Sequence, residues 1–250
     1  MKYELIKITR EVGTSAGVIL PRKLLGATVK ITVLEEAPNP LLDSLKILEN
    51  HKLAQEILGM YLVGSYARGE NKLHSDIDVL VVTQNTTKTI NEGRYSLTLV
   101  SMKDLEQSLK DNLIYYLPMI KEAKTLLNNN LIETFKDLKI GEKHIRRILM
   151  ETQKAIVKIR KMIELDSKLG NCNTGDSVSY SLILRLKSLY IVGKLKKGIL
   201  WSNKEFERLV SSKIYERYLY VKNENKVLSK TPLKEAQQML KLLEEEVKKW

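Results

Sequence analysis

The chain has 250 residues, 43% of them hydrophobic and 29% charged, a composition that fits a folded globular protein and excludes disorder as its ruling state. No run approaches the roughly 18 unbroken apolar residues of a membrane span. The start MKYELIKITR lacks the apolar centre of a signal peptide, and the single cysteine, Cys172, allows neither an internal disulfide nor a zinc centre of several thiolates. A reducing, cytoplasmic setting without a membrane partner is expected. The formal net charge is +12, and its distribution is uneven. Residues 141–250 hold 24 basic against 13 acidic side chains, whereas residues 1–36 hold 6 against 4 and residues 37–140 hold 12 against 13. The C-terminal surplus suits either a surface that faces a polyanion or a set of lysine-rich solvated helices.

Residues 1–36 read as strands. KYELIKIT alternates in part, GVIL and VKITVLE are rich in β-branched residues, and Gly13, Gly17 and Gly26 punctuate them. Pro38 and Pro40 in EAPNP break the pattern, so a first unit is expected over 1–37. The Val-Gly-x-Ser turn at 12–15, the strand Gly-Val-Ile-Leu-Pro followed by Arg22 and Lys23, and a closing strand after Gly26 resemble the AbrB-like swapped-hairpin family of small DNA-binding domains. That resemblance implies a homodimer in which two chains exchange hairpins, with Arg10, Arg22 and Lys23 available to DNA phosphates. The alternative is a β appendage that packs on the next domain.

From Leu41 the spacing becomes helical, with Leu41, Leu45 and Leu48 on one face, and then gives way to the apolar strand MYLV before Gly64. Further strands are predicted at DIDVLVV and YSLTLVS, each short and apolar enough to be central in a sheet. Successive strand side chains alternate faces, so Asp76 and Asp78 point the same way, apart from Ile77 and Val79. Two carboxylates sharing one small space repel unless a cation lies between them, and their hard oxygens suit magnesium. Gly64 lets the backbone turn and approach a phosphate closely, Ser65 adds a hydroxyl, and Arg68 and Lys72 bring positive charge. Taken singly, a Gly-Ser turn or an Asp-x-Asp pair is more often structural.

The order of apolar residue, Gly, Ser, ten residues and Asp-Ile-Asp-Val in GSYARGE…SDIDVLVV resembles the polymerase beta superfamily, most of all its minimal nucleotidyltransferases. The resemblance implies a nucleotidyltransferase domain over 41–138. In it Gly64 and Ser65 would hold a nucleoside triphosphate, and Asp76 and Asp78 would be both the catalytic pair and the ligands of Mg2+; the charges of Arg68 and Lys72 add these two as further candidate contacts to the triphosphate. Active members usually carry a third carboxylate on a neighbouring strand, and YSLTLVS has none. Thr98 stands where that acid is expected, with Glu92 just before the strand and Asp104 just after it. His74 beside the acids could assist proton transfer, although a histidine in a polar loop is more often simply solvated.

Beyond residue 141 helical spacing dominates: Ile145, Leu149, Ile156, Ile159 and Ile163 in one segment, and Leu233, Ala236, Leu240, Leu243 and Val247 in the last. A helical bundle over 141–250 is expected, with GNCNTGD as a turn between two long helices and Thr231-Pro232 opening the final one. Arg185 and Lys187, and Tyr215, Tyr218 and Tyr220 among cations, could grip an acceptor substrate, while core packing is the commoner fate of such tyrosines. The Arg-x4-6-His signature of the HEPN ribonucleases that often accompany such transferases is absent, so RNA cleavage is not expected.

The expected fold class is therefore α+β and multi-domain: a small β unit, a central nucleotidyltransferase domain with a mixed sheet, and a helical bundle. The expected function is Mg-dependent transfer of a nucleoside monophosphate from a triphosphate, ATP first among them, to a hydroxyl of a protein, nucleic acid or small molecule. The alternative is a catalytically weak member of the fold acting as a DNA-binding regulator or antitoxin-like protein.

Overall fold

A computed structural model describes residues 4–7, 9–33, 37–72, 75–210, 212–222 and 231–250. The N-terminal segment forms one small hairpin, β1 (Arg10–Val12) against β2 (Ser15–Gly17), followed by a 3-10 turn over Arg22–Leu24. The three-strand expectation fails here, because the described residues of KYELIKIT, 4–7 and 9, form no strand, β1 begins only after them, and residues 27–33 form no strand either. Ile6, Val12, Ile19, Leu25, Ile31 and Val33 are all more than half exposed. A two-stranded hairpin with no core to cover is marginal in water, so the β-branched residues lack the apolar surface that would make them strands.

The chain then enters a five-stranded mixed sheet. α1 (Pro40–Asn50) begins with Asn39 accepting a hydrogen bond from the Leu42 amide and with proline at its first position. It leads to β3 (Ile57–Val63), the short α2 (Gly64–Arg68), β4 (Ile77–Thr83), β5 (Lys88–Glu92) and β6 (Tyr95–Ser101). α3 (Met102–Asp111), α4 (Leu117–Glu122), β7 (Lys124–Leu127) and α5 (Asn129–Lys136) complete this part. The strand order is β5-β6-β4-β3-β7; only the β4–β6 pair is parallel.

Both faces of the sheet are covered. Ile77, Val79 and Val81 of β4 pack with Met60, Leu97 and Leu99 against Ile47 and Leu48 of α1. Leu80 and Val82 pack on the opposite side with Tyr61 and Val100 against α3, α4 and α5, through Leu105, Leu109, Leu117, Ile120 and Ile132. Each fully buried aliphatic side chain of this set contributes about 1.5–3 kcal/mol. Asp78 shares the parity of Leu80 and Val82, so it projects from the α4 side of the sheet at the strand's beginning.

The C-terminal half is helical: α6 (Glu142–Lys168), α7 (Asp176–Lys196), α8 (Asn203–Leu209), α9 (Ser212–Lys222) and α10 (Leu233–Lys248). One apolar cluster joins Ile145, Ile156, Ile159 and Ile163 of α6 to Leu182, Leu186 and Leu189 of α7 and to Met239 and Leu243 of α10. The 170–176 stretch turns the chain between α6 and α7 and contributes β8 (Asn173–Thr174), which pairs with β9 (Thr231–Pro232). Thr231 is thus a strand residue whose hydroxyl meets that of Ser179 in the core; Pro232 holds the cap position and α10 starts at Leu233. Among the described residues no helix is long and apolar enough to cross a membrane.

Candidate active site

Antiparallel pairing of β3 and β4 sets Val63 opposite Asp78. One residue later the chain reverses at Gly64, whose φ of +71° lies in the left-handed region. A Cβ at that position would stand 2.2 Å from Asp78 Oδ2, so any side chain there would collide with the carboxylate. The Gly-Ser turn and the second acid of the Asp-x-Asp pair therefore meet at one point. Ser65 is half-buried in the first turn of α2, Asp78 is half-buried, and Asp76 is exposed just ahead of β4. His74 lies outside the described residues.

Behind the turn is a buried ion network that the sequence did not disclose. The Gly64 amide donates to Glu122 Oε1 at 2.6 Å, and the other oxygen of that carboxylate accepts from Arg68 Nη1. The Glu122 side chain is 3% exposed and that of Arg68 6%, which makes this a buried pair rather than a surface one. Burial raises the Glu122 pKa, with the nearby Asp78 charge pushing the same way, while Arg68 and the Gly64 amide oppose the rise. Arg68 Nε also donates to Glu70 Oε2 at 2.9 Å, and its guanidinium lies 3.8 Å from the centre of the Trp201 ring. The cation read from the sequence as a phosphate contact is thus held on three sides beneath the turn.

Glu70 carries the network into the helical half. Its carboxylate accepts from the Ser202 hydroxyl and, at 3.1 Å, from the Asn203 amide at the start of α8. Burial works to raise its pKa, but the bonds from Ser202, Arg68 and Asn203 outweigh that and pull it down to about 2. Lys72 extends outward, its side chain 75% exposed and its Nζ 3.9 Å from Glu207 of α8. Arg94, in the turn between β5 and β6, reaches the hydroxyl of Tyr66 at 2.7 Å and the Ser75 carbonyl at 3.4 Å. It therefore ties α2 to the segment that delivers Asp76.

The third-acid position falls elsewhere than expected. Parallel pairing puts Ser96 of β6 beside Asp78, and Thr98 lies deeper, beside Leu80. Ser96 donates to Asn91 Oδ1 at 3.0 Å. Glu92 faces His51 at 3.6 Å, and Asp104 accepts from Thr87 at 2.5 Å at the far end of β6, so neither stands at the turn. Among the described residues no three His, Cys, Asp or Glu side chains converge as a metal-holding group. Glu122 is the acid that approaches the turn, and it does so through a contact 58 residues away in sequence. The one sequence signal for it is a carboxylate closing the apolar run LPMI, whose Leu117, Pro118 and Ile120 are buried.

Of the aromatic and basic residues read as acceptor contacts, Tyr215 and Tyr218 are 8% and 6% exposed and belong to the bundle core, with Tyr218 stacked on Tyr180. Tyr220 is exposed. Arg185 pairs with Glu151 at 3.7 Å, and Lys187 lies over the rings of Trp201 and Tyr218. Arg10, Arg22 and Lys23 are all exposed on the N-terminal segment.

Residues 45–155 match the family described as Nucleotidyltransferase domain. This match starts beyond the hairpin and gives the AbrB-like resemblance of residues 1–37 no support. A curated relative, the mitochondrial succinate dehydrogenase assembly factor 3 of Saccharomyces cerevisiae, is 31% identical over 114 residues, which is 42% of this chain and 83% of that protein. Among solved structures, a nucleotidyltransferase-like protein from Exiguobacterium sibiricum aligns at 18% identity and a TM-score of 0.34, covering 84% of this chain and 75% of that one. The spectinomycin adenyltransferase AAD(9) from Enterococcus faecialis, crystallised with ATP and spectinomycin, aligns at 14% identity and a TM-score of 0.47, covering 83% of this chain and 98% of that one.

Proposed function

We propose, from the match of residues 45–155 to the Nucleotidyltransferase domain family, that the chain transfers a nucleoside monophosphate from a nucleoside triphosphate, ATP first among the donors to try, to a hydroxyl acceptor. The acceptor is a protein, a nucleic acid or a small molecule. The observation that carries this reading is the contact between the Gly64 turn and Asp78, where even a methyl group would collide.

Asp76 and Asp78 would hold Mg2+. They offer hard oxygen ligands two residues apart in sequence, and magnesium keeps phosphate oxygens and waters in its remaining positions. When bound, the ion supplies positive charge to the α-phosphate and to the departing pyrophosphate. Ser65 would donate its hydroxyl and its amide to the triphosphate, since the Gly64 amide is already committed to Glu122. Arg68 supports the turn from beneath, and Lys72 supplies a mobile charge at the rim.

The test is label transfer from α-labelled ATP with magnesium, with and without cell extract, beside an Asp76→Asn, Asp78→Asn double variant. The wild type is expected to label an acceptor and the double variant to lose at least about 10²-fold of that rate. Transfer that survives the double substitution rejects the assignment. Ser96 beside Asp78 favours a second reading, a nucleotide-binding regulator with little catalysis. ATP that raises the unfolding temperature while no condition yields label transfer would select it.

The exposed apolar residues of the hairpin segment support a homodimer formed through residues 1–37. Light scattering should then show a concentration-dependent dimer that deletion of residues 1–36 abolishes, and a gel shift tests whether Arg10, Arg22 and Lys23 bind DNA.

A further inference from the structure

The solvent face of α6 is a continuous basic strip. The helix buries Ile145, Ile148, Ile156, Ile159 and Ile163 against the bundle. At 3.6 residues per turn the opposite side presents Lys143, Arg146, Lys154, Lys161 and Lys168, all exposed. None of these five cations forms an ion pair among the described residues, whereas Arg147 and Arg160 pair with Glu151 and Glu244. Glu164 is the one acid near the centre of the strip. The outer side of α10, in the same bundle, is different in kind: Lys234 and Lys241 are interspersed with Gln237, Gln238 and Glu245. A merely solvated face would resemble α10, with charges of both signs.

Three further features define the partner. α6 has 27 residues, so the strip is about 40 Å long, and the step from Lys154 to Lys161 to Lys168 repeats at about 10 Å. At its N-terminal end a groove of about 520 Å³ is lined by Lys143, His144, Arg146, Arg147 and Lys154 together with Asp111, Glu142 and Glu151. Between the cations lie Met150, Val157 and Leu165, more than two-fifths exposed, and no aromatic ring. Single strands are gripped largely by stacking bases on aromatic rings, which this face lacks. The strip offers lysine and arginine, and contacts from such cations to phosphates position a partner without carrying sequence information.

From the unpaired cations, their length and the missing aromatics, we infer that α6 is a docking face for a nucleic-acid duplex, held through its phosphates without reading sequence. This goes beyond the transferase reading and does not depend on it. Four lysine–phosphate contacts give a slope of about −3.6 in log affinity against log salt, a loss of about 10²-fold between 50 and 200 mM.

The test is fluorescence anisotropy of the full chain with an RNA duplex, the matching DNA duplex, a single strand and polyglutamate, across a salt series. The variant Lys143→Gln, Lys154→Gln, Lys161→Gln, Lys168→Gln is compared with Lys46→Gln, Lys88→Gln, Lys103→Gln, Lys124→Gln, an equal charge loss at exposed lysines away from α6. Binding of either duplex that falls about 30-fold or more in the first variant, changes less than about 3-fold in the second, and survives deletion of residues 1–36 is the expected result. Equal losses in both variants, no duplex binding, or polyglutamate or single strand bound as tightly as duplex would each overturn it. Matching circular dichroism and unfolding midpoints show that the variants remain folded.

Discussion

Two turns in this chain start alike, with valine followed by glycine in the left-handed region: Val12-Gly13 at φ +60° and Val63-Gly64 at φ +71°. Around Gly13 no atom lies within 4 Å of where a Cβ would be, and the flanking strands are three residues each. At Gly64 the same position is filled by the Asp78 carboxylate, between two seven-residue strands buried on both faces. The local chemistry is common to both; the consequence is decided by what the rest of the chain brings to the turn. At Gly64 that is a carboxylate in front and the Glu122–Arg68–Glu70 network behind.

This contrast can be broken most forcefully at Glu122. Glu122→Ala removes one partner of a buried pair and should lower stability by about 3–5 kcal/mol, read as the midpoint and slope of urea unfolding. Glu122→Gln keeps an acceptor for the Gly64 amide and should cost less than half as much; equal costs would show that the charge, not the amide bond, governs the turn. Next comes Gly64→Ala, at about 2–3 kcal/mol for the left-handed φ and the clash, together with loss of any thermal shift on adding ATP. Gly13→Ala, with a similar φ, should move global unfolding by less than about 0.5 kcal/mol, because the hairpin opens on its own.

Acid sharpens the comparison further. Glu70 has its folded pKa pulled from 4.5 to about 2, so its contribution is fully present above about pH 4.5 and is lost as pH falls toward 2. Glu122, shifted the opposite way by burial, loses stability as pH rises through its folded pKa. Glu70→Gln should therefore flatten the acid limb of the stability profile, while an unchanged limb would show that Glu70 is not what ties α2 to α8. The smallest effect is expected from deleting residues 1–36, within about 0.5 kcal/mol for the remaining chain.

The sequence was most readable where one local pattern met its own core. DIDVLVV forms a strand from Ile77 onward in which Ile77 and Val79 are buried and Asp78 half-buried, with Asp76 exposed just ahead of it, as the alternation of its first four residues suggests. VKITVLE carries equally good strand residues, but among the described residues no strand pairs with 27–33, so propensity had nothing to act on. Strand register is a tertiary fact, and for that reason the serine beside Asp78 was misjudged by two residues as Thr98. Glu122 was invisible for the same reason: its partners are a backbone amide and an arginine more than 50 residues away. The cap expected of Thr231 was lost to a competing bridge with Thr174.

Trp201, pressed under the Arg68 guanidinium and near Lys187, is one of two tryptophans, the other being Trp250 at the chain's end beside Lys196. A Trp250→Phe variant would leave a single indole emitter at the seam between sheet and bundle. Its fluorescence would then report, without any attached dye, whenever the floor of the phosphate turn shifts.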